Sequence, residues 1–260
     1  MKAEFDLSVA AESVQEICMI NKPAKSGAIK GGGKLHSLIA RGIGERILGG
    51  EFAPGHVLPN EAEWGKIYSA SRTAVREAIK SLAAKGLISS RPKVGSRVEP
   101  KMRWNLLDRD VLTWHRSATD RKAFLLSTQE FRRIVEPGIA ELAAKKRSPD
   151  QIDQLVAALD DMREAKTHGE MVEADVQFHE ALLSASNNDL LVPFHILIDE
   201  TLANLFDFTT QRNPSYRQAI KLHEAIARAV IAGEPANARK AMLALLDDTD
   251  SVVAMTGKRK

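Results

Sequence analysis

Apolar residues recur with a helical period from Lys34 onward. Leu35, Leu38, Ile39, Ile43 and Ile47 fall on one stripe, the pattern of a helix that buries a single face. Gly49-Gly50 ends it, and Glu51 to Pro59, with Pro54-Gly55, reads as a turn-rich connector. Asn60 followed by Glu63 has the spacing of a capping box and predicts a short helix over 61–68. Ser69-Ala70-Ser71 predicts a tight connection. Ser71 is then the N-cap of a helix that runs to about Lys85, turns Val75, Ile79 and Leu82 inward, and stops at Gly86. Leu87-Ile88 and Val94 to Val98 predict two short strands around Arg91-Pro92-Lys93 and Gly95. The order is three helices followed by a β-hairpin.

After Pro100 the strand signals cease. Residues 108–115, 120–146, 149–166, 170–186, 189–210, 214–232 and 235–255 are amphipathic with helical period. Pro193 fits a first helical turn, whereas Pro137 predicts a kink or an interruption. About 150 residues of helix can bury a substantial core, so this half is expected to fold as one all-α domain. Residues 1–33, ending in Lys30-Gly31-Gly32-Gly33, read as a tail. The expected fold is mostly α, with three parts: the tail 1–33, a domain over 34–100, and an all-helical bundle over 101–260.

Composition adds exclusions. With 260 residues, 44% apolar and 27% charged, the chain is neither disordered nor collagen-like. A single Cys closes no intramolecular disulfide, which fits a reducing compartment. No apolar run approaches the roughly 20 residues of a membrane helix. Glu4, Asp6, Glu12 and Glu16 do not suit a secretory signal, so no membrane association and a cytoplasmic location are expected. The net charge of +3 conceals an asymmetry. Residues 34–103 hold 13 Lys and Arg against six acids, while 104–260 hold 20 against 24. A basic segment joined to a mildly acidic one is the pattern of a polyanion-binding module with a partner domain.

The basic segment has matching chemistry. In a helix-turn-helix the second helix offers its N-terminal residues to the major groove. Here that helix opens with Ser71, Arg72, Thr73 and Arg76, polar at the exposed end. Arginine there can fork onto guanine or clamp a phosphate, and the helix start adds its own partial positive charge. Lys93, Gly95 and Arg97 lie at the hairpin tip, where glycine permits close backbone approach to a groove edge. The helix alone fits a solvated surface equally well; the charge block, the hairpin and the order of elements decide for double-stranded DNA. Leu58-Pro59-Asn60-Glu61, Ser71 to Ala78, Leu82 to Ile88 and the Gly95 hairpin resemble the winged helix of GntR-type bacterial transcription regulators. The resemblance implies that Arg72, Thr73 and Arg76 meet DNA, with Gly95 at the wing. It also marks a departure: Ala62 stands where such regulators usually carry an operator-contacting Arg, so operator sequence or affinity is expected to differ.

In the bundle, Asp175 and His179 share a helix face at i, i+4, and His223 lies on another helix. An Asp and two imidazoles suit a divalent metal such as Zn²⁺, Ni²⁺ or Mn²⁺. From spacing alone, the commoner reading is two satisfied core histidines and a solvated acid. Asp175 to His179, His223 to Ile226 and Glu130 to Pro137 resemble the ligand-binding domain of the FadR subfamily, whose metal-binding members use an Asp and three His. The resemblance implies three of those ligands here. In place of the fourth, the neighbourhood holds Thr201 and Asn204, and His195 is over a turn too early. Arg132 matches an effector-facing Arg, with a salt bridge to Glu136 as the alternative role. Trp104 to Asp108, with Trp114, is similar to segments of sugar-acid regulators, galactonate regulators among them; both Trp residues are otherwise inter-domain anchors. The expected function is a homodimeric repressor of a catabolic operon on a palindromic operator, modulated by a small carboxylate such as a sugar acid. The alternatives are a metal-dependent hydrolase built on Asp175, His179 and His223, or a regulator sensing metal or an acyl thioester.

Overall fold

The computed structural model describes residues 32–91, 95–118, 120–209 and 216–256. The chain divides into two compact units, Met1–Ala118 and Thr119–Lys260.

The first unit opens with α1 (Gly32–Leu48), which buries Ile39, Ala40, Ile43 and Ile47. Leu35 and Leu38, expected on the same stripe, are exposed, Leu38 by 55%. Helix α2 (Glu61–Ile67) is closed by the expected capping box. Asn60 Oδ1 accepts from the Ala62 and Glu63 amides at 2.9 and 3.1 Å, and Glu63 Oε2 accepts from the Asn60 amide at 2.7 Å. A turn through Ser69, whose φ is 48°, leads to α3 (Arg72–Ala84). Ser71 Oγ caps it by accepting from the Ala74 amide at 3.3 Å, and Val75, Ala78, Ile79 and Leu82 are buried.

Gly86, at φ +75°, ends the helix where a Cβ would lie 2.1 Å from the Arg103 carbonyl oxygen, a position only glycine fills. Strands β1 (Ile88–Arg91) and β2 (Gly95–Val98) pair antiparallel from Ile88↔Val98 to Arg91↔Gly95, and Val57 bridges to Arg97. This is a winged helix-turn-helix.

Helix α4 (Arg109–Ala118) belongs to this unit, not to the bundle. Trp104, Val111 and Trp114 lie in the same core as Ile43, Trp64 and Leu82. The Trp104 indole N–H donates to the Glu99 carbonyl at 2.9 Å. The two units therefore part at 118/119, further along the chain than the 100/101 division expected. Periodicity locates an amphipathic helix but does not say which core receives its apolar face.

The second unit is all-helical: α5 (Arg121–Lys146), α6 (Pro149–Glu164), α7 (His168–Ala185), α8 (His195–Thr209), α9 (Tyr216–Ala232) and α10 (Pro235–Thr256). Capping boxes at Ser148/Gln151 and Thr167/Glu170 start α6 and α7. Helix α5 packs along α10, α6 along α7, and α9 along α10. Their core includes Ala143, Leu155, Phe178, Leu182, Ile226, Val230 and Leu246. Pro137 does not interrupt α5, which runs unbroken through it. Proline there removes a single amide donor, and buried neighbours on both sides, Glu136 and Ile139, hold the helix in place. Among the described residues no helix is long and apolar enough to cross a membrane.

Candidate functional sites: a nucleic-acid surface and a buried metal-type cluster

The first unit carries an exposed polar surface at the start of α3. Arg72, Thr73 and Arg76 are all exposed there, while the opposite face of the helix is buried. The Ser71 hydroxyl is taken up by capping. Gly95 has φ +95° and nothing within 4 Å of where a Cβ would stand, so the tip of β2 presents bare backbone. The Arg97 guanidinium donates to the Gly55 carbonyl, tying wing to connector. Lys93 lies outside the described residues. Ala62 is exposed beside Glu61. Sequence reasoning missed the partner of Arg76: its guanidinium forks onto Glu61, Nε to Oε1 at 3.1 Å and Nη2 to Oε2 at 3.0 Å. No periodicity links residues 15 apart across a turn; only opposite charges at the two helix starts signal it.

The second unit buries a group of ionisable side chains from three helices. Arg132 and Glu136 come from α5, Asp175 and His179 from α7, and His223 from α9; all are at most 4% exposed. Spacing of i, i+4 on α5 and on α7 aims each pair inward together. Arg132 Nε donates to Glu136 Oε1 at 2.6 Å, Nη2 to Oε2 at 3.2 Å and Nη1 to Gln129 Oε1 at 3.3 Å. Gln129 Nε2 in turn donates to Asp250 Oδ1 at 3.0 Å on α10. Arg132 thus makes the salt bridge weighed as the alternative to an effector contact. His179 Nδ1 lies 3.3 Å from Glu136 Oε2, and His223 Nε2 lies 2.9 Å from Asp175 Oδ1. The two imidazole centroids are 5.7 Å apart, and Phe178 stacks edge-on to His223 at 4.8 Å.

Electrostatics holds both acids ionised. Burial pushes the Asp175 carboxyl up, but His223, His179 and Arg132 outweigh it and keep it below the usual carboxylate range. Burial acts in the same sense on Glu136, yet Arg132 and His179 bring it down to about 2. Tautomers follow from the partners. His223 Nδ1 is 2.8 Å from the Ala219 carbonyl oxygen, so it donates there, and Nε2 faces Asp175 Oδ1. Nε2 of His179 is buried without a hydrogen bond. Among the described residues, Asp175, His179 and His223 form a group whose ligand atoms lie within 4.8 Å of one another. Two imidazoles beside an ionised carboxylate are a donor set that fits a divalent cation.

Of the neighbours considered for a further ligand, Thr201 is buried and spends its hydroxyl on the Leu197 carbonyl at 2.6 Å. His195 Nδ1 is 2.8 Å from the Val192 carbonyl oxygen at the start of α8, outside the cluster. The Asn204 side chain lies outside the described residues.

Comparison with known proteins decides the family. Residues 35–98 match the model for bacterial regulatory proteins of the gntR family, and residues 128–248 match the FCD domain. The HTH-type transcriptional regulator YieP of Escherichia coli K12 is 34% identical over 219 residues, 83% of this chain and 94% of YieP. The chain belongs to the GntR family.

Within that family, the galactonate operon transcriptional repressor of Escherichia coli K12 is 33% identical over 190 residues, 72% of this chain and 83% of the repressor. The solved structure of Lar from Listeria monocytogenes has the same fold, with a TM-score of 0.56 at 17% identity, covering 90% of this chain and 99% of Lar. This GntR regulator is therefore a DNA-binding transcription regulator with an FCD ligand-binding unit, and it is not an enzyme. The hydrolase alternative has no support among these relatives, which are transcription regulators throughout.

Proposed function

We propose that this GntR regulator is a homodimeric repressor of a catabolic operon. It binds a palindromic operator through Arg72, Thr73 and Arg76 of α3, with Lys93, Gly95 and Arg97 at the wing, and its FCD unit takes a small carboxylate of the sugar-acid class. Two-fold symmetry follows from the need to place two recognition helices in half-sites about one helical turn apart. The likeness to a galactonate operon repressor supports the effector class. A divalent metal, Zn²⁺, Ni²⁺ or Mn²⁺, would be held by Asp175, His179 and His223. The observation that carries this is three ligand atoms within 4.8 Å of one another, with His179 Nε2 buried and without a hydrogen bond. When bound, the cation supplies a Lewis-acid position for a carboxylate oxygen. Arg132 adds a guanidinium within the same charged core, and Glu136 orients His179. Charged residues line this core, so an acyl thioester is the poorer ligand.

The effector can change operator occupancy only by its differential affinity for the DNA-competent and released states. The test is thermal-shift titration with galactonate and other sugar acids, with Ni²⁺ or Zn²⁺ or after chelation. A shift with a sugar acid that shrinks after chelation, with release of promoter DNA in a gel shift, is expected. No shift with any carboxylate overturns the effector class. A sugar-acid shift indifferent to chelator overturns the metal.

A further inference from the structure

Arg76 does not stand free on the α3 surface. The fork from Glu61 joins the two helices of the helix-turn-helix, so it is not an intrahelical contact made by mere proximity. Both side chains are well exposed, 61% for Arg76 and 38% for Glu61. Exposed ion pairs in general contribute little to stability. What a bidentate arginine–carboxylate fork does confer is a fixed orientation of the guanidinium plane. Here the fork occupies Nε and one side of Nη2, which leaves Nη1 and the outer hydrogen of Nη2 as parallel donors. Parallel guanidinium donors match O6 and N7 of guanine.

Going beyond the reading of Arg76 as facing DNA, on which it rests, we propose that Glu61 determines sequence specificity. It fixes the Arg76 guanidinium so that the outer edge reads a guanine in each half-site. Glu61 also balances the charge of Arg76, so the pair adds little to the attraction for phosphates. That attraction falls to cations such as Arg72, whose guanidinium has no hydrogen-bond partner among the described residues. Neighbouring Ala62 offers no side-chain donor. Holding the arginine in advance also removes part of the ordering cost of docking.

The experiment is selection from a randomised DNA duplex pool with the full-length protein. Wild type is expected to enrich a guanine at one symmetry-related position in each half-site, and Arg76→Ala to lose it. Glu61→Gln is expected to lower the guanine preference at that same position about tenfold. Its binding to unselected DNA should be unchanged or tighter, because a negative charge has been removed. Circular dichroism melting of each variant reports whether α2 is intact. Three outcomes overturn the proposal. Glu61→Gln could weaken selected and unselected DNA by the same factor with the guanine preference intact, which is a purely structural role. It could bind selected DNA more tightly with the preference kept, which is an inhibitory pair. The guanine lost in Arg76→Ala could lie elsewhere from any change in Glu61→Gln. A wild type that enriches no sequence overturns the DNA-facing reading of Arg76, and this inference with it.

Discussion

Arg132 and Glu136 are the two residues on which the buried cluster turns, because each is fully enclosed and each neutralises the other. Taking one member away leaves an uncompensated charge in a low-dielectric core, which costs about 3–5 kcal/mol. Arg132→Met is therefore expected to lower the unfolding free energy of the FCD unit by about that amount, read by urea titration. Arg132→Met with Glu136→Leu should recover much of the loss, since burying no charge at all removes the penalty. A single variant as stable as wild type would show that the pair is solvated in solution. Most of this cluster was legible in the sequence, the i, i+4 spacing of Arg132 and Glu136 included. Spacing brings Asp175 next to His179 on one face, and residue type marks His223 as a third donor. The bond of Arg132 to Gln129 and onward to Asp250 was not legible, because it joins residues 121 positions apart and depends on how α5 lies against α10. His115 adds a pH dependence in the first unit. Burial, reinforced by the Lys101 charge, lowers its pKa below 6.5, so the unfolded chain binds the proton more readily than the folded one. Stability is thus full above pH 6.5 and declines as the pH falls below it. The melting temperature of the first unit should drop over that range in wild type and flatten in His115→Gln.

Helix ends were the most readable elements. Asn60/Glu63 and Ser71 cap α2 and α3 as their spacing implies, since capping depends only on residues within one turn. Elements whose outcome depends on a distant partner were not readable. The exposed Leu35 and Leu38 lie on a stripe that only its second half buries, and α4 joins a core fixed by residues far away in sequence. Gly44 shows how close that second contact is. A Cβ there would lie 2.4 Å from Cε3 of Trp114, a ring only 6% exposed. The ring cannot swing into solvent without giving up its burial, so α1 and α4 approach as closely as glycine permits. Gly44→Ala is expected to destabilise the first unit by about 1–3 kcal/mol through overpacking, in spite of the helix propensity alanine gains. Differential scanning calorimetry should show the first unit melting earlier and the FCD unit unchanged. An unchanged first transition would mean that α4 is not docked on α1 in solution.

At the scale of the molecule, a basic winged helix and a mildly acidic bundle share one chain, and the near-neutral total conceals the division. The charge split was legible because it needs only counting, whereas the proposed two-fold symmetry of the DNA complex involves a second copy of the chain. Salt dependence reaches that symmetry. Each phosphate contact releases counterions and adds about 0.9 to the slope of log affinity against log salt. Arg72 is an exposed cation at the start of α3 with no hydrogen-bonded acid among the described residues, so a homodimer on a two-fold operator would place it on DNA twice. Arg72→Ala should then flatten the slope by about two per complex and weaken binding to all sequences alike. Arg76→Ala should flatten it less, because Glu61 already balances that charge, and should act on sequence preference instead. Both variants can be read from fluorescence-anisotropy titrations of a promoter duplex across a salt series, with stoichiometry fixed by analytical ultracentrifugation. A change near one for Arg72→Ala would mean that a single winged helix meets the duplex, and the symmetric dimer would have to be abandoned. Equal slope changes for the two arginines would show instead that DNA pulls Arg76 away from Glu61 to reach a phosphate.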